Sequence, residues 1–498
     1  MHQLFVYNSL TKERELFEPI HEGRVGMYVC GPTVYSDVHL GNCRTFTSFD
    51  IIYRFLSYLG YKVRYVRNVT DVGHLEGDVD VGAEDKISKK ARLDQLEPME
   101  VVQKYANGFQ DMMQIFNLLP PNIEPRATGH IIEQIQMIQT ILDRRLAYEK
   151  NGSVYFDTPA YIEQNHPYGV LSGRVIDDLI QESRDDLKGQ SEKNHPSDFA
   201  LWIKAGPTHL MRWPSPWSDG FPGWHLECSA MSTKYLGTHF DIHGGGNDLK
   251  FPHHENEIAQ NVAACGSTPS KYWLHTNMLL LNGRKMSKSE DNSVTPQQLF
   301  TGDSKHFSKG FTPMVVRFFM LQAHYRSTLD LTDDALLAAE KGYRRLMEGN
   351  KALGKLQGNN TGDASELDRE MGALMVGVLE DMCDDFNTPK ALAKLFELTS
   401  KINALSGQQL DAGLLSKSTL ERLQEIFPAF LFNVFGLKDD SSDQDQDIVN
   451  GLMELIIDLR KDARTNKDWG TADKIRDGLT ELSVQVKDGK DGTSWSKI

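Results

Sequence analysis

Apolar positions along the chain change their period in a definite order. Residues 24–30 (RVGMYVC) read as a short buried strand. Residues 45–59 then carry Phe46, Phe49, Ile52, Phe55, Leu56 and Leu59 at helical spacing, and Gly60 ends the run. Residues 62–69 (KVRYVRNV) return to a strand pattern. Strand, helix and strand at this spacing predict a βαβ unit, hence a parallel sheet with a right-handed crossover. The loop GPTVYSDVHLGN therefore lies at the carboxyl end of a strand, where such sheets bind ligands.

The pattern weakens between residues 120 and 222, which read as an inserted subdomain with a polar, acidic loop. It returns from 223 to 331, with an apolar run at 278–281 before a basic loop. Beyond residue 332 the spacing is helical, with helices expected over 335–356 and 367–382 and from Thr388-Pro389. SSDQDQD (441–447) reads as a solvated linker before a last helix over 448–464. The expected fold is α/β: a Rossmann-type parallel-sheet catalytic domain (1–331) with its inserted subdomain, then helical regions at 332–440 and 441–498.

Composition narrows the class without choosing a partner. The 498 residues are 40% hydrophobic and 25% charged, as in an ordinary globular protein. A membrane span is not expected, because no run of about 18 apolar residues occurs. Five scattered cysteines point to a reducing cytosol, with no disulfide framework. The net charge of −15 leaves nucleic acid open, because phosphate contacts depend on the local field.

Three stretches carry candidate chemistry. HLGN (His39, Leu40, Gly41, Asn42) sits at a strand-to-helix handover, where free N–H groups favour phosphate; an ordinary helix cap would look alike. GRKMSKSEDN (283–292) places Lys285 and Lys288 three apart in a loop, suited to pyrophosphate, although a basic surface turn is the plainer alternative. FPHHENEIAQ (251–260) starts at Pro252, read as a first helical position, so His253 and Glu257 share one face. It is not the hydrolytic HExxH motif, because no second histidine follows at the required place. Cys30 and Cys228 are possible further ligands, but about 200 residues separate them, and each could be a small buried core residue.

HLGN and KMSKS in this order resemble the signature pair of class I aminoacyl-tRNA synthetases. MYVCGPTVY, HLGNCRTF, YVRNVTD, SPWSDGFPGWHLECSAM, HFDIHGGGNDLKFPHHENEIAQ and KMSKS together resemble the cysteinyl-tRNA synthetase family, as do ADKIRDGL and VKDGKDGTSW near the end. The resemblance implies one Zn²⁺ held by Cys30, Cys228, His253 and Glu257, selecting L-cysteine over serine by its thiolate. His254 and Glu255 are left to supporting roles.

It further implies that Thr70, Trp224 and His243 line the cysteine pocket and that Asp248 meets the substrate ammonium. Gly41, Gly244 and Gly245 would allow ATP or the adenylate to approach closely. His39, Asn42, Lys285 and Lys288 would act on ATP, which arrives with Mg²⁺. The implied partner is tRNA(Cys), met at the C-terminal end by Arg460, Arg464, Trp469 and Trp495, in a cytoplasmic monomer. Two departures stand out: Asn42 replaces the family's usual histidine, and residues 73–83 are inserted before EDKI. A ligase passing cysteine to an amino sugar would share the catalytic motifs but would not need the helical end. A silent paralogue would be expected to lose KMSKS or a ligand, and both are present here.

Overall fold

The computed structural model describes all residues except 1–2, 73–74, 77–83, 86, 88, 92–95, 175–191, 208, 287–291, 359–364, 483, 490–491 and 498. Two compact units are present, Met1–Leu437 and Lys438–Ile498.

In the first unit a four-stranded parallel sheet runs in the order Ser270–Thr276, Phe240–Gly246, Arg24–Val29, Lys62–Arg67. The Leu40–Tyr58 helix crosses from Arg24–Val29 to Lys62–Arg67 and completes the expected βαβ unit. It starts five residues before the expected helical run, at a turn that the His39–Asn42 capping box closes and that Leu40 and Cys43 anchor in the core. Strand alternation then sorts the side chains. Val25, Met27 and Val29 join Phe46, Phe49, Ile52 and Phe55 in one core. Tyr28 and Cys30 fall on the other face and pack with Cys228 and Met231. Cys228 and Met231 are three apart on the Trp224–Leu236 helix, so they share its sheet-facing side. Leu226 and Ala230, on that helix's other side, pack with Val154, Phe156, Leu201 and Trp202.

Those last residues belong to an antiparallel sheet ordered Gly220–Pro222, Phe199–Lys204, Ser153–Phe156, Ala147–Lys150, within the stretch read as an insertion. The Trp224–Leu236 helix is therefore held between two sheets. Past the parallel sheet, Leu279–Leu281 pairs in parallel with Leu329–Leu331 and antiparallel with Arg284–Lys285. Helices Asp333–Leu353, Glu366–Cys383, Thr388–Ser406 and Lys417–Pro428 follow, in the region expected to be helical.

A buried ionic knot joins distant parts of this unit. Asp50 accepts from Arg54 at 2.7 Å and from Arg317 at 2.5 Å, and Arg317 also donates to the carbonyls of Phe116 and Phe435. Removing one partner of such a knot typically costs about 3–5 kcal/mol, because the remaining charge is stranded.

The second unit comprises the Ser441–Thr465 and Trp469–Glu481 helices and a hairpin of Val484–Gly489 with Gly492–Lys497. Residues 441–447, expected as a linker, are the opening turns of its first helix. A polar helix start has no apolar period to announce it. No described helix is long and apolar enough to cross a membrane.

Candidate functional site

At the carboxyl end of Arg24–Val29, the Cys30 N–H donates to the Gly244 carbonyl at 3.0 Å, fixing the thiol beside the neighbouring strand. Its Sγ lies 3.6 Å from Cys228 Sγ and 3.6 Å from Glu257 Oε1. Glu257 Oε1 is also 3.2 Å from His253 Nε2. One ligand atom from each of Cys30, Cys228, His253 and Glu257 lies within 4.8 Å of the others, and all four residues are buried. Two sulfurs bound to a tetrahedral zinc at about 2.3 Å sit roughly 3.7 Å apart, so the thiol spacing fits that ion. Burial raises the Cys30 thiol well above its ordinary value, and Cys228 and Glu257 add to the effect. Cys228 is raised as well, again chiefly by burial. Two buried neutral thiols beside a carboxylate are a donor set that a divalent cation would deprotonate and hold.

A second set, Cys30, His243, His254 and Glu257, also meets the spacing. Its histidines have other contacts. His243 Nε2 lies 2.8 Å from Glu257 Oε2, the oxygen turned away from Cys30. His254 Nδ1 lies 2.9 Å from His275 Nε2, while its Nε2 is 3.3 Å from Cys30 Sγ. Burial holds the His254 ring neutral, helped by the neighbouring His243, His275 and His253. The first set brings two sulfurs, which zinc favours.

Glu255 has a different job. Its carboxylate accepts the backbone N–H groups of Gly169, Leu171 and Ser172 at 2.9–3.1 Å and anchors that loop. Pro252, expected as the first helical residue, is the N-cap; the Asn256 N–H reaches back to its carbonyl at 3.0 Å, and the helix begins at His253.

The residues expected around the cysteine pocket gather in part. Trp224 opens its helix, and its ring lies 4.4 Å from the His253 ring. His243 is fully buried and stacks on Trp273 at 4.4 Å. Thr70 is buried and accepts from Asn68 Nδ2 at 3.1 Å. Asp248 is exposed, in the short Asn247–Lys250 turn that follows the glycines.

At the first signature, His39 is the N-cap of Leu40–Tyr58 and Asn42 is its third residue. The Asn42 N–H donates to His39 Nδ1 at 3.2 Å, and Asn42 Oδ1 accepts the His39 N–H at 3.4 Å. An accepting Nδ1 puts the neutral ring's proton on Nε2. A Cβ on Gly41 would press on the His39 ring at 3.0 Å. Lys285 is exposed, and its carbonyl accepts from Asn292 Nδ2 at 3.1 Å. Lys288 lies outside the described residues.

Gly244 and Gly245 have a packing reason to be glycine. A Cβ on Gly244 would meet the Phe49 ring at 2.2 Å, and one on Gly245 would meet His254 and Leu249 at 2.9 Å. Protein atoms already fill both spaces.

Sequence reasoning missed Asn68, which is fully buried. Its Oδ1 accepts the Gly31 N–H at 2.8 Å and lies 3.6 Å from Cys228 Sγ. A Cβ on Gly31 would collide with the Asn68 carbonyl at 1.5 Å, so the chain beside Cys30 closes only with glycine. Asn68 lies inside the string RNVTD, but nothing local in that string signals a contact with Gly31 or Cys228.

In the second unit, Arg460, Arg464 and Trp469 line one cavity of about 310 Å³ together with Lys461 and Thr465. Trp469 is 59% exposed. Trp495 lies on the hairpin, paired with Val486, and does not line that cavity.

Comparison with known proteins agrees with this layout. The family model described as tRNA synthetases class I (C) catalytic domain matches residues 16–341. A DALR domain matches 377–437, and a cysteinyl-tRNA ligase anticodon binding domain matches 455–495. The cysteine–tRNA ligase of Bacteroides thetaiotaomicron is 53% identical over 496 residues, covering 99% of each chain. That of Deinococcus radiodurans is 46% identical, covering 99% of this chain and 96% of its own. Among solved structures, the Mycobacterium tuberculosis methionyl-tRNA synthetase with methionyl-adenylate superposes with a TM-score of 0.54 at 15% identity, covering 82% of this chain and 89% of that one. At that identity the likeness speaks for the fold.

Proposed function

Because the chain belongs to the cysteine–tRNA ligase family of class I aminoacyl-tRNA synthetases, we propose that Cys30, Cys228, His253 and Glu257 hold one zinc ion that identifies the substrate by its thiol. The enzyme activates L-cysteine with ATP to cysteinyl-adenylate and transfers it to the 3′ end of tRNA(Cys). The observation that carries the zinc reading is the convergence of two buried thiols, an imidazole and a carboxylate on one point. A zinc ion there would favour a thiolate over the hydroxyl of serine. Selectivity would then need no hydrolytic correction.

The chain's own residues supply the rest. His243 fixes Glu257 through its second oxygen, and His225 Nδ1 lies 3.0 Å from His253 Nδ1, so both ligands are oriented from behind. Trp224 walls the site beside His253. The cysteine carboxylate attacks the α-phosphate of ATP, which arrives with Mg²⁺, and pyrophosphate leaves. His39 at the helix N-terminus and Lys285 and Lys288 on the 283–292 arm would offset the phosphate charge that builds up in this step. Positioning supplies much of the acceleration, and no covalent enzyme intermediate is needed.

Residues 1–331 act as the catalytic region in this reading, 332–440 reach the tRNA stem, and 441–498 read the anticodon. Arg460, Arg464 and Trp469 around their cavity suit an unpaired base and its phosphates. The matched domains at 377–437 and 455–495 favour tRNA over an amino-sugar acceptor. We read the enzyme as a cytoplasmic monomer, and the five free thiols suit that compartment.

Cysteine-dependent ATP–pyrophosphate exchange, with serine as control, tests the assignment. Exchange with cysteine alone is the expected result. Absence of exchange from folded, zinc-loaded protein would remove the reading.

A further inference from the structure

Arg44 lies two residues beyond Asn42, in the second turn of the helix that His39 caps. Its side chain turns inward and is 1% exposed. The guanidinium meets no carboxylate among the described residues; it donates to three backbone carbonyls instead. Nη1 reaches Met278 O at 2.5 Å, and Nη2 reaches Ser327 O and, at 3.4 Å, His324 O. Burying a cation without a counter-ion is costly, and the planar fork repays it only by holding several acceptors at once. Burial lowers its pKa to about 10, which still leaves the group charged at neutral pH.

The three carbonyls have one location in common. Met278 immediately precedes the Leu279–Leu281 strand, which leads through Arg284–Lys285 into the KMSKS arm. His324 and Ser327 belong to the turn before Leu329–Leu331, the parallel partner of that same strand. The turn is stitched to the strand root independently, with the Asn277 N–H on Tyr325 O at 2.9 Å and the Leu329 N–H on Met278 O at 3.1 Å. The arm is pinned at its far end too, where Asn292 Nδ2 donates to Lys285 O. Arg44 is thus the tie between the helix that presents His39 and the root from which the lysine arm springs.

We propose that Arg44 is a positioning residue for adenylate formation: it sets the spacing between the His39 helix terminus and the KMSKS arm, on the two flanks of ATP. The inference rests on the reading of both signatures as the ATP site. A misplacement of about 1 Å between reacting groups costs roughly a hundredfold in rate, so a rigid tie at the root bears directly on catalysis. The zinc cluster draws on other elements, namely Cys30, the Trp224–Leu236 helix and the His253–Cys265 helix, so cysteine recognition should not depend on Arg44.

The test compares full-length Arg44→Met and Arg44→Lys with the wild type in cysteine-dependent ATP–pyrophosphate exchange, together with zinc content and Tm. Expected for Arg44→Met is a fall in kcat of about a hundredfold or a rise in KM for ATP above about tenfold. KM for cysteine should stay within about twofold, with one zinc per chain. Arg44→Lys keeps the charge and loses the fork, so it should fall between, and it decides the matter if Arg44→Met does not fold. A lower Tm with kcat and KM for ATP unchanged in both soluble variants would overturn the proposal and leave Arg44 a stability residue. A parallel rise in KM for ATP and cysteine with loss of zinc would overturn it as well. Failure of the wild type to exchange would instead sink the ATP-site reading beneath it.

Discussion

His39 and Asn42 cap each other: each backbone N–H of the pair reaches the other's side chain, at 3.2 Å and 3.4 Å. The side chain of the asparagine that departs from the family signature therefore closes the helix's first turn, while the backbone N–H of the same residue sets the tautomer of the histidine beside it.

Asn42→Ala should remove half of that box, the acceptor for the His39 N–H, lowering stability by no more than about 1 kcal/mol, while the backbone N–H of residue 42 still holds the His39 ring. Pyrophosphate exchange should drop more than stability does. Asn42→Asp keeps the accepting oxygen, so its Tm should match the wild type while KM for ATP rises, because a carboxylate then faces phosphate. Equal KM values for the Asp variant and the wild type would show that residue 42 does not face ATP.

Cys228→Ser removes one of the two sulfurs in the proposed zinc set. Loss of even an outer supporting contact typically costs about 10–100-fold in metal affinity, and loss of a ligand should cost at least that. Metal analysis after dialysis against a chelator should show depleted zinc, and KM for cysteine should rise sharply. A variant with full zinc and unchanged KM would exclude Cys228 as a ligand.

Gly244→Ala separates two reasons for a glycine. The new methyl would overlap the Phe49 ring, which lies on the core side of the Leu40–Tyr58 helix. Overpacking of this kind typically costs about 1–3 kcal/mol. Denaturant unfolding should show that loss, with KM for ATP nearly unchanged in the folded fraction. A normal unfolding midpoint with a raised KM would point to ligand approach instead.

Asp368 gives a pH dependence away from the catalytic centre. Burial by itself would raise this carboxyl, but hydrogen bonds from Thr419, Ser365 and Ser416 outweigh it and hold it well below the usual range. Distances of 2.9 Å from the Ser365 N–H and 2.8 Å from Ser416 Oγ fit that pull. The folded pKa lies under the unfolded value of about 3.9, so the stabilisation is complete above that pH and drains away as pH falls toward the folded pKa. Asp368→Asn should lose about 1–3 kcal/mol at pH 7, and its deficit against the wild type should shrink below about pH 4. A deficit independent of pH would refute the ionic account.

Much of the architecture was legible in the one-dimensional pattern. The strand at 24–30 was legible from its apolar run, and strand alternation then sets Val25, Met27 and Val29 on one face and Tyr28 and Cys30 on the other. Likewise the four-residue step from His253 to Glu257 placed them on one side of a helix. Residues 441–447 were misread because a polar helix start has no apolar period. The packing reason for Gly244 was not legible, because it lies in whatever fills the space of the missing Cβ, here a ring almost 200 positions earlier.

Local order along the chain thus determined the elements, their faces and the reactive side chains, since these follow from backbone periods of two and 3.6. Tertiary structure alone decided what meets those faces. The strand order puts Phe240–Gly246 beside Arg24–Val29, and the helix between the two sheets brings Cys228 to within 3.6 Å of Cys30 across 198 residues of chain. The same packing separated three neighbours in FPHHENEIAQ. Glu257 faces both the thiols and His253, Glu255 holds a loop by three N–H groups, and His254 bridges Cys30 and His275. No local period encodes such choices, because they depend on which non-local surface arrives at each face of the helix.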